Sequence, residues 1–328
     1  MALRIAHLSD LHLLSLEGAV PYRLFNKRFT GWVNLRMHRN HVHRPFAAHA
    51  VAREIRRLDI DHVVITGDVT NLSLEVEFEL VRAFVDDHLG MPPDRVSMVP
   101  GNHDVYTRGS HRDQRFRRYF GPFMTDDRPT KSAVAASNPQ TKSAVAASNR
   151  GGAADDAFPY LRLRGPAAII GLCTATPRLP LVASGELGDA QLSALARLLE
   201  LPEVRGRFPV LLQHHPWHNP PSRARAFMNG LADAPAEKRV LRSVAKGLLL
   251  HGHLHRRIHQ AVPTDAGQID AIGTTSASLL DERDERMAGF NVYEIGDDHS
   301  LRVTSHRLVL APGGQTGAGF REVPVPRA

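Results

Sequence analysis

The 328 residues contain a single cysteine, Cys173. No disulfide can form within the chain and no thiolate cluster can hold a metal, so a reducing compartment is expected. Long apolar runs are also missing, since none approaches the roughly eighteen residues a membrane span needs. The opening stretch MALRIAHLSDLHLL has no basic segment ahead of a long apolar one, and no export signal is read there. These absences lead us to expect a cytoplasmic protein. Aromatic residues are only 6% of the chain, and outside one segment they do not interleave with basic residues as a nucleic-acid platform would require. Acidic residues are the scarcer charge, 34 against 41 Lys and Arg, for a net charge of +7. That balance favours an anionic partner: a phosphate ester, a nucleic acid or an acidic membrane surface.

What is present is enough apolar content, 42%, for a substantial core in one large α/β domain or two small ones. Short apolar runs at Arg4–Leu8, His62–Thr66, Val96–Val99, Ala167–Cys173, Phe208–Leu212 and Gly247–Leu250 read as strands. Helical periodicity falls between them, at Ala47–Leu58, at Leu74–Leu89 with Ser73 as N-cap, at Asp189–Glu200 and at Glu237–Lys246, so strand and helix alternate. After His255 the pattern changes to strand-like pieces, IDAIGTTSASLL, GFNVYEI and LRVTSHRLVL, and the last third is predicted to be antiparallel. TKSAVAASNPQ from Thr130 is followed at once by TKSAVAASN from Thr141. Two copies of a small-residue unit cannot stack into a solenoid, which indicates a duplicated surface loop within 125–157. We therefore expect one domain over residues 1–310, with an insert at 21–46 and a C-terminal tail over 311–328.

The chemistry lies at the ends of the predicted strands: LSDLHLL (Asp10, His12), ITGDVT (Asp68), VPGNHDV (Asn102, His103, Asp104), LLQHHPW (His214, His215) and LLLHGHLH (His251, His253, His255). A Pro-Gly break ends a strand sharply, and open α/β sheets present ligand sites at strand carboxyl edges. In an extended segment residues i and i+2 share a face, so Asp10 with His12, and His253 with His255, can each point into one cleft. One such motif is what a hydrogen-bonded core histidine also produces. Five in sequence at five strand ends call for a common cause, and metal binding supplies one.

The order D-x-H, G-D, G-N-H-D, H-x-P and G-H-x-H resembles that of the calcineurin-like metallophosphoesterases, from Asp10 to His255, in particular the branch of bacterial cyclic-nucleotide and glycerophosphodiester phosphodiesterases. The resemblance implies an α/β fold: a four-layer α/β/β/α sandwich of two mixed sheets with a dinuclear metal centre on one edge. It implies that Asp10, His12 and His255 hold one ion, that Asn102, His214 and His253 hold the other, and that Asp68 bridges both. His103 then corresponds to the substrate-facing histidine. His215 and His251 break the spacing and are left as supporting residues. With two divalent ions, two carboxylates and a bridging hydroxide, the site keeps about one positive charge for a phosphate. Mixed nitrogen and oxygen ligands suit Mn²⁺, Fe or Zn²⁺ better than Mg²⁺. The implied reaction is hydrolysis of a small phosphodiester or phosphomonoester by in-line attack of the bridging hydroxide, with His103 protonating the leaving group and Asp104 orienting His103 and holding its proton. Arg108, His111 and His218 lie near the blocks and could contact the substrate.

The segment PYRLFNKRFTGWVNLRMHRNHVHRPF, Pro21–Phe46, departs from a compact catalytic core. Leu24, Phe25, Phe29, Trp32 and Val33 recur at helical spacing among Lys27, Arg28, Arg36, Arg39 and Arg44. Such an apolar stripe with basic flanks can be covered by the chain's own surface, by an anionic membrane or by nucleic acid. The membrane option carries an alternative function, a lipid-linked nucleotide-sugar pyrophosphatase at the inner membrane surface, and the basic balance carries another, a nuclease. A metal-free scaffold of the same fold is the non-enzyme alternative, against which the complete set of ligand-type residues speaks.

Overall fold

The computed structural model describes residues 2–14, 43–105, 107–128, 157–179, 182–217, 222–311 and 314–327. The repeat at 130–149, and the insert apart from 43–46, lie outside the described residues, and so does His218.

Two six-stranded sheets form the frame. The first runs β12-β11-β10-β1-β2-β3 and is built from β1 (Leu3–Leu8), β2 (His62–Ile65), β3 (Val96–Met98), β10 (Gly289–Ile295), β11 (Leu301–Ala311) and β12 (Gly314–Val323). β1, β2 and β3 are parallel, while β10, β11 and β12 add to them as an antiparallel meander. The second sheet runs β4-β5-β6-β7-β9-β8, from β4 (Tyr160–Arg164), β5 (Ala167–Gly171), β6 (Phe208–Leu212), β7 (Lys246–His251), β8 (Ile258–Pro263) and β9 (Gln268–Gly273). Its central strands are parallel and its two edge strands antiparallel.

Period-two alternation explains the layering. In β6, Phe208, Val210 and Leu212 enter the core shared with β1 and β2, where Ile5, Val64 and Ile65 lie. Leu211, between them, turns to the other face and packs with Leu192, Leu195 and Leu198 of the helix Asp189–Leu199. Each fully buried side chain of this kind contributes about 1.5–3 kcal/mol, so both faces of the central strands must be covered. The helices Pro45–Arg57 and Glu75–Ala83 supply Val51, Ile55, Phe78 and Val81 to the core that includes the first sheet. The result is the expected four-layer α/β/β/α sandwich.

Several local expectations are corrected. The helix from Leu74 does begin there, but Ser73 is not its cap: it has a left-handed backbone (φ 53°), and its hydroxyl donates to the His103 and Asp104 carbonyls at 2.7 and 2.6 Å. Glu77 takes over the capping, accepting from the N–H groups of Asn71, Leu72 and Leu74; burial pushes its carboxyl up to about 7 against these three bonds. Beyond Ala83 the helix widens into a π turn, Phe84–Leu89. The helix expected at Glu237–Lys246 lies earlier, at Ala234–Val240, followed by a 3₁₀ turn. The strand-like piece near Ile269 pairs antiparallel with β8 on one side, but in parallel with β7 on the other. Edge strand β4 was not expected, because its alternation hides a buried arginine: Arg162 donates to the carbonyls of Pro93, Val96, Pro122 and Thr125. The segment after 311, expected as a tail, pairs with β11 as β12.

Candidate metal centre

The parallel strands of both sheets deliver their carboxyl ends to one edge. As β1 and β2 leave the sheet side by side, the Asp10 N–H donates to the Gly67 carbonyl (2.9 Å) and the His12 N–H to the Asp68 carbonyl (3.1 Å). The second sheet joins through His214, whose Nδ1–H donates to the Thr66 carbonyl at 2.8 Å, and through the backbone N–H of His253, which donates to Asp10 Oδ2 at 3.2 Å.

The chain does not enter the site as extended strand. Asp10 (φ 52°), His12 (44°), Asp68 (50°), His253 (67°) and His255 (48°) are all left-handed, a conformation that costs roughly 1–3 kcal/mol per residue and needs surrounding structure to hold it. The expectation that D-x-H and H-x-H share a face through strand alternation is therefore corrected: consecutive tight turns aim these side chains. Close backbone approach explains the glycines beside them. A Cβ on Gly101 would strike Asp68, and one on Gly252 would strike Ser9 and Asp10.

Two groups of ligand atoms result, each with its members within 4.8 Å of one another: Asp10, Asp68 and His214, all buried, and His12, His43 and His255, of which only His12 is fully buried. Asp10 Oδ1 lies 3.1 Å from His255 Nε2 and 3.9 Å from His12 Nε2, and the two Nε2 atoms are 3.2 Å apart. Asp68 Oδ2 is 3.3 Å from His214 Nε2. Ligand atoms around one ion at about 2.0–2.2 Å sit roughly 3–4 Å from one another, so these separations accept an ion. A second observation supports the fit: Asn102 Oδ1 is buried without a hydrogen-bond partner among the described residues. Unsatisfied buried groups cost about 1–3 kcal/mol each, which coordination would offset.

The electrostatics agree. Burial works against an ionised Asp10, but the His255 imidazole outweighs it and lowers the carboxyl. Burial likewise opposes ionisation of Asp68, and His214 with His103 pulls it well below the usual carboxylate range. Burial also disfavours a charged His214, yet Asp68 pushes that imidazole up to about 9, so an ion entering there displaces a proton. His253, depressed to about 3 by burial and by His214, is already neutral.

The remaining expected residues fall around these groups. His253 lies outside both; its ring is 5.1 Å from that of His214, and its Nε2–H donates to the Asn229 carbonyl at 2.9 Å, which leaves Nδ1 as its ligand atom. The His103 N–H donates to Asp68 Oδ1 (2.7 Å), and its ring meets that of His12 edge-on at 5.2 Å. The role expected of Asp104 is corrected. Its carboxylate accepts from the N–H of Gly101 and from the N–H and hydroxyl of Thr70, each at 2.9 Å, while His103 Nδ1–H donates to the Asn71 carbonyl at 2.7 Å. Asp104 ties the G-N-H-D turn to the G-D turn and leaves orientation of His103 to Asn71. His215 is held between Thr174 Oγ1 (2.8 Å) and the Ala183 carbonyl (2.9 Å), with its ring 5.0 Å from that of His214. Arg108 is exposed, and His111 lines an apolar cavity with Phe116, Phe158 and Cys173.

Sequence reasoning missed Thr66, Asn71, Ser276, Ser278 and His43. Asn71 follows the G-D block by three residues, and its Nδ2 also donates to the His12 carbonyl at 2.8 Å. Ser276 Oγ donates to the Asp10 carbonyl at 2.6 Å. These roles carry no motif of their own. His43, one of several histidines in a basic segment, gave no signal at all.

A sequence model described as calcineurin-like phosphoesterase matches residues 3–257. Among solved structures, a dimetal phosphatase from Danio rerio superposes with a TM-score of 0.53 at 13% identity, over 97% of this chain and 98% of the other. The purple acid phosphatase PPD1 from yellow lupin (Lupinus luteus) seeds gives 0.54 at 11% identity over 94% of this chain, which spans about half of that enzyme, 52%. At such identities the likeness is one of fold. No curated protein matches the chain in sequence.

Proposed function

Because the chain belongs to the calcineurin-like phosphoesterase family, we propose that it hydrolyses a small phosphodiester or phosphomonoester in a cleft that holds two divalent ions, Mn²⁺, Fe or Zn²⁺. The observation that carries this reading is the convergence of Asp10, Asp68, His12, His214 and His255 at one edge, with the orphaned Asn102 Oδ1 and the His103 ring beside them. Two ions bound there would acidify a water and balance charge on the phosphoryl oxygens.

The protein's own groups do the rest. Asp68 is positioned by the His103 N–H on one oxygen and faces His214 with the other; it would be the carboxylate shared between the ions. With Nδ1–H committed to the Asn71 carbonyl, His103 presents Nε2 as the atom that carries a proton to the departing oxygen. An alkoxide leaves poorly unless protonated as the bond breaks, and such general acid help is worth about 10²–10⁴-fold. Asp104, locked onto Thr70 and Gly101, keeps the two turns in register.

Among the described residues no helix is long and apolar enough to cross a membrane; our reading of a cytoplasmic location rests on the single cysteine. The test is a screen of metal-stripped and Mn²⁺-reloaded protein against nitrophenyl phosphate, its diester, cyclic nucleotides, glycerophosphodiesters and nucleotide sugars. Turnover that needs added metal is expected, and loaded protein inert toward every ester would overturn the proposal.

A further inference from the structure

His43 reaches the site from a segment that none of the five motifs includes. It is placed by rigid structure: His43 forms an antiparallel bridge with Leu279, the Arg44 N–H donates to the Ser278 carbonyl at 2.8 Å, and Pro45 starts the helix Pro45–Arg57 immediately afterwards. The ring stands edge-on to His12 at 4.7 Å and to His255 at 5.6 Å between centroids, and one atom from each of the three imidazoles falls within the same 4.8 Å.

A second observation concerns the other side of the ring. His43 Nδ1 pairs with Ser278 Oγ at 2.8 Å, Ser278 Oγ lies 3.3 Å from Ser276 Oγ, and Ser276 Oγ donates to the Asp10 carbonyl at 2.6 Å. A metal-bound histidine has its other ring nitrogen held in this way by an oxygen, which fixes the tautomer and aims the ligand atom. The same hydroxyl chain therefore connects His43 with Asp10.

We propose that His43 is a ligand of the ion at the open end of the cleft, giving that ion three imidazoles, from His12, His43 and His255, in addition to Asp10. Two atoms on opposite sides of one ion are separated by about 4.2 Å, so closure from 4.8 Å is a small adjustment. Imidazole-rich ligation favours Zn²⁺ or Fe²⁺ over Mn²⁺, and His43 thereby sets which metal this position selects. The inference rests on the metal centre proposed above, and its readout is ion binding, so it stands or falls whether or not an ester is turned over.

The experiment strips the full-length chain with a chelator and titrates it with Co²⁺, a spectroscopic stand-in for Zn²⁺, and separately with Mn²⁺. Loss of even an outer partner of a ligand typically weakens binding about 10–100-fold. For His43→Ala we expect at least that loss for one of two Co²⁺ ions, a change in the visible Co²⁺ bands and a smaller loss for Mn²⁺. Ser278→Ala should weaken the same ion less. In the unaltered chain, Zn²⁺ loading should protect His43 from carbethoxylation, read by mass spectrometry; this arm decides the question even where a variant fails to fold. Parent-like affinity and bands in His43→Ala, or equal modification of His43 with and without Zn²⁺, would overturn the assignment. Retained ion binding with only a raised KM would do so too, and would make His43 a substrate contact.

Discussion

The two ends of the candidate metal cleft are built differently. At the closed end Asp68 and His214 are buried, and two imidazoles are aimed by backbone carbonyls, His214 by Thr66 and His253 by Asn229. At the open end the His255 side chain is 20% exposed, and hydroxyls do the aiming, through Ser276 and Ser278. The Thr66 carbonyl, on the exit of β2, is as rigid as the sheet behind it, whereas a serine rotor can yield. On the proposed reading, the closed end would keep its ion tightly and the open end would suit exchange and substrate entry.

Asp68→Ala should erase this distinction and have the largest effect. As the carboxylate proposed to be shared by both ions, Asp68 should on removal cost both of them in metal analysis, with turnover falling by well over about a hundredfold, beyond what losing an outer partner does. Metal content equal to that of the parent would remove Asp68 from the centre. His103→Ala comes next: esters of alkyl alcohols should slow by about a hundredfold or more while nitrophenyl esters, which depart without protonation, change much less. A uniform loss across both leaving groups would assign His103 to positioning. Timed chelation of the loaded protein compares the ends directly, with one ion expected to leave several times faster than the other. A single rate for both would break the comparison.

The smallest expected effect lies behind the closed end. Glu237 is buried against Trp217 Nε1 (2.6 Å) and Gln213, and burial pushes its carboxyl up to about 8 from 4.5. Between these values the native state holds the extra proton, so the stability contributed by this group falls as pH rises through that window. Glu237→Gln keeps an acceptor for Trp217 and removes the slope. Its melting temperature should therefore gain on the parent by a few degrees between pH 5 and pH 9, and parallel curves over that range would contradict the assignment.

Much of this was legible before the fold was known, and for identifiable reasons. Apolar runs such as Phe208–Leu212 announce strands because both faces are buried, and the ligand types cluster at strand ends because parallel strands expose their carboxyl edges together. β4 was hidden because Arg162 is buried through its bonds to carbonyls distant in sequence. The parallel side of β9, against β7, was not foreseen because pairing partners are not encoded in a strand's own residues.

By itself, the sequence determined the fold class and the order of the five ligand blocks, because alternation, turn glycines and ligand chemistry are local properties. Tertiary structure decided what depends on residues far apart in the chain. Five ligand-type residues take left-handed backbone that only the surrounding packing can hold. Asp104 lost the His103 imidazole to Asn71 because the turn after Asp68 brings a carbonyl closer. His43 met His12 and His255 because a bridge to Leu279 carries it across more than two hundred residues of chain. No local pattern encodes such a meeting, since it exists only once both sheets have closed on each other.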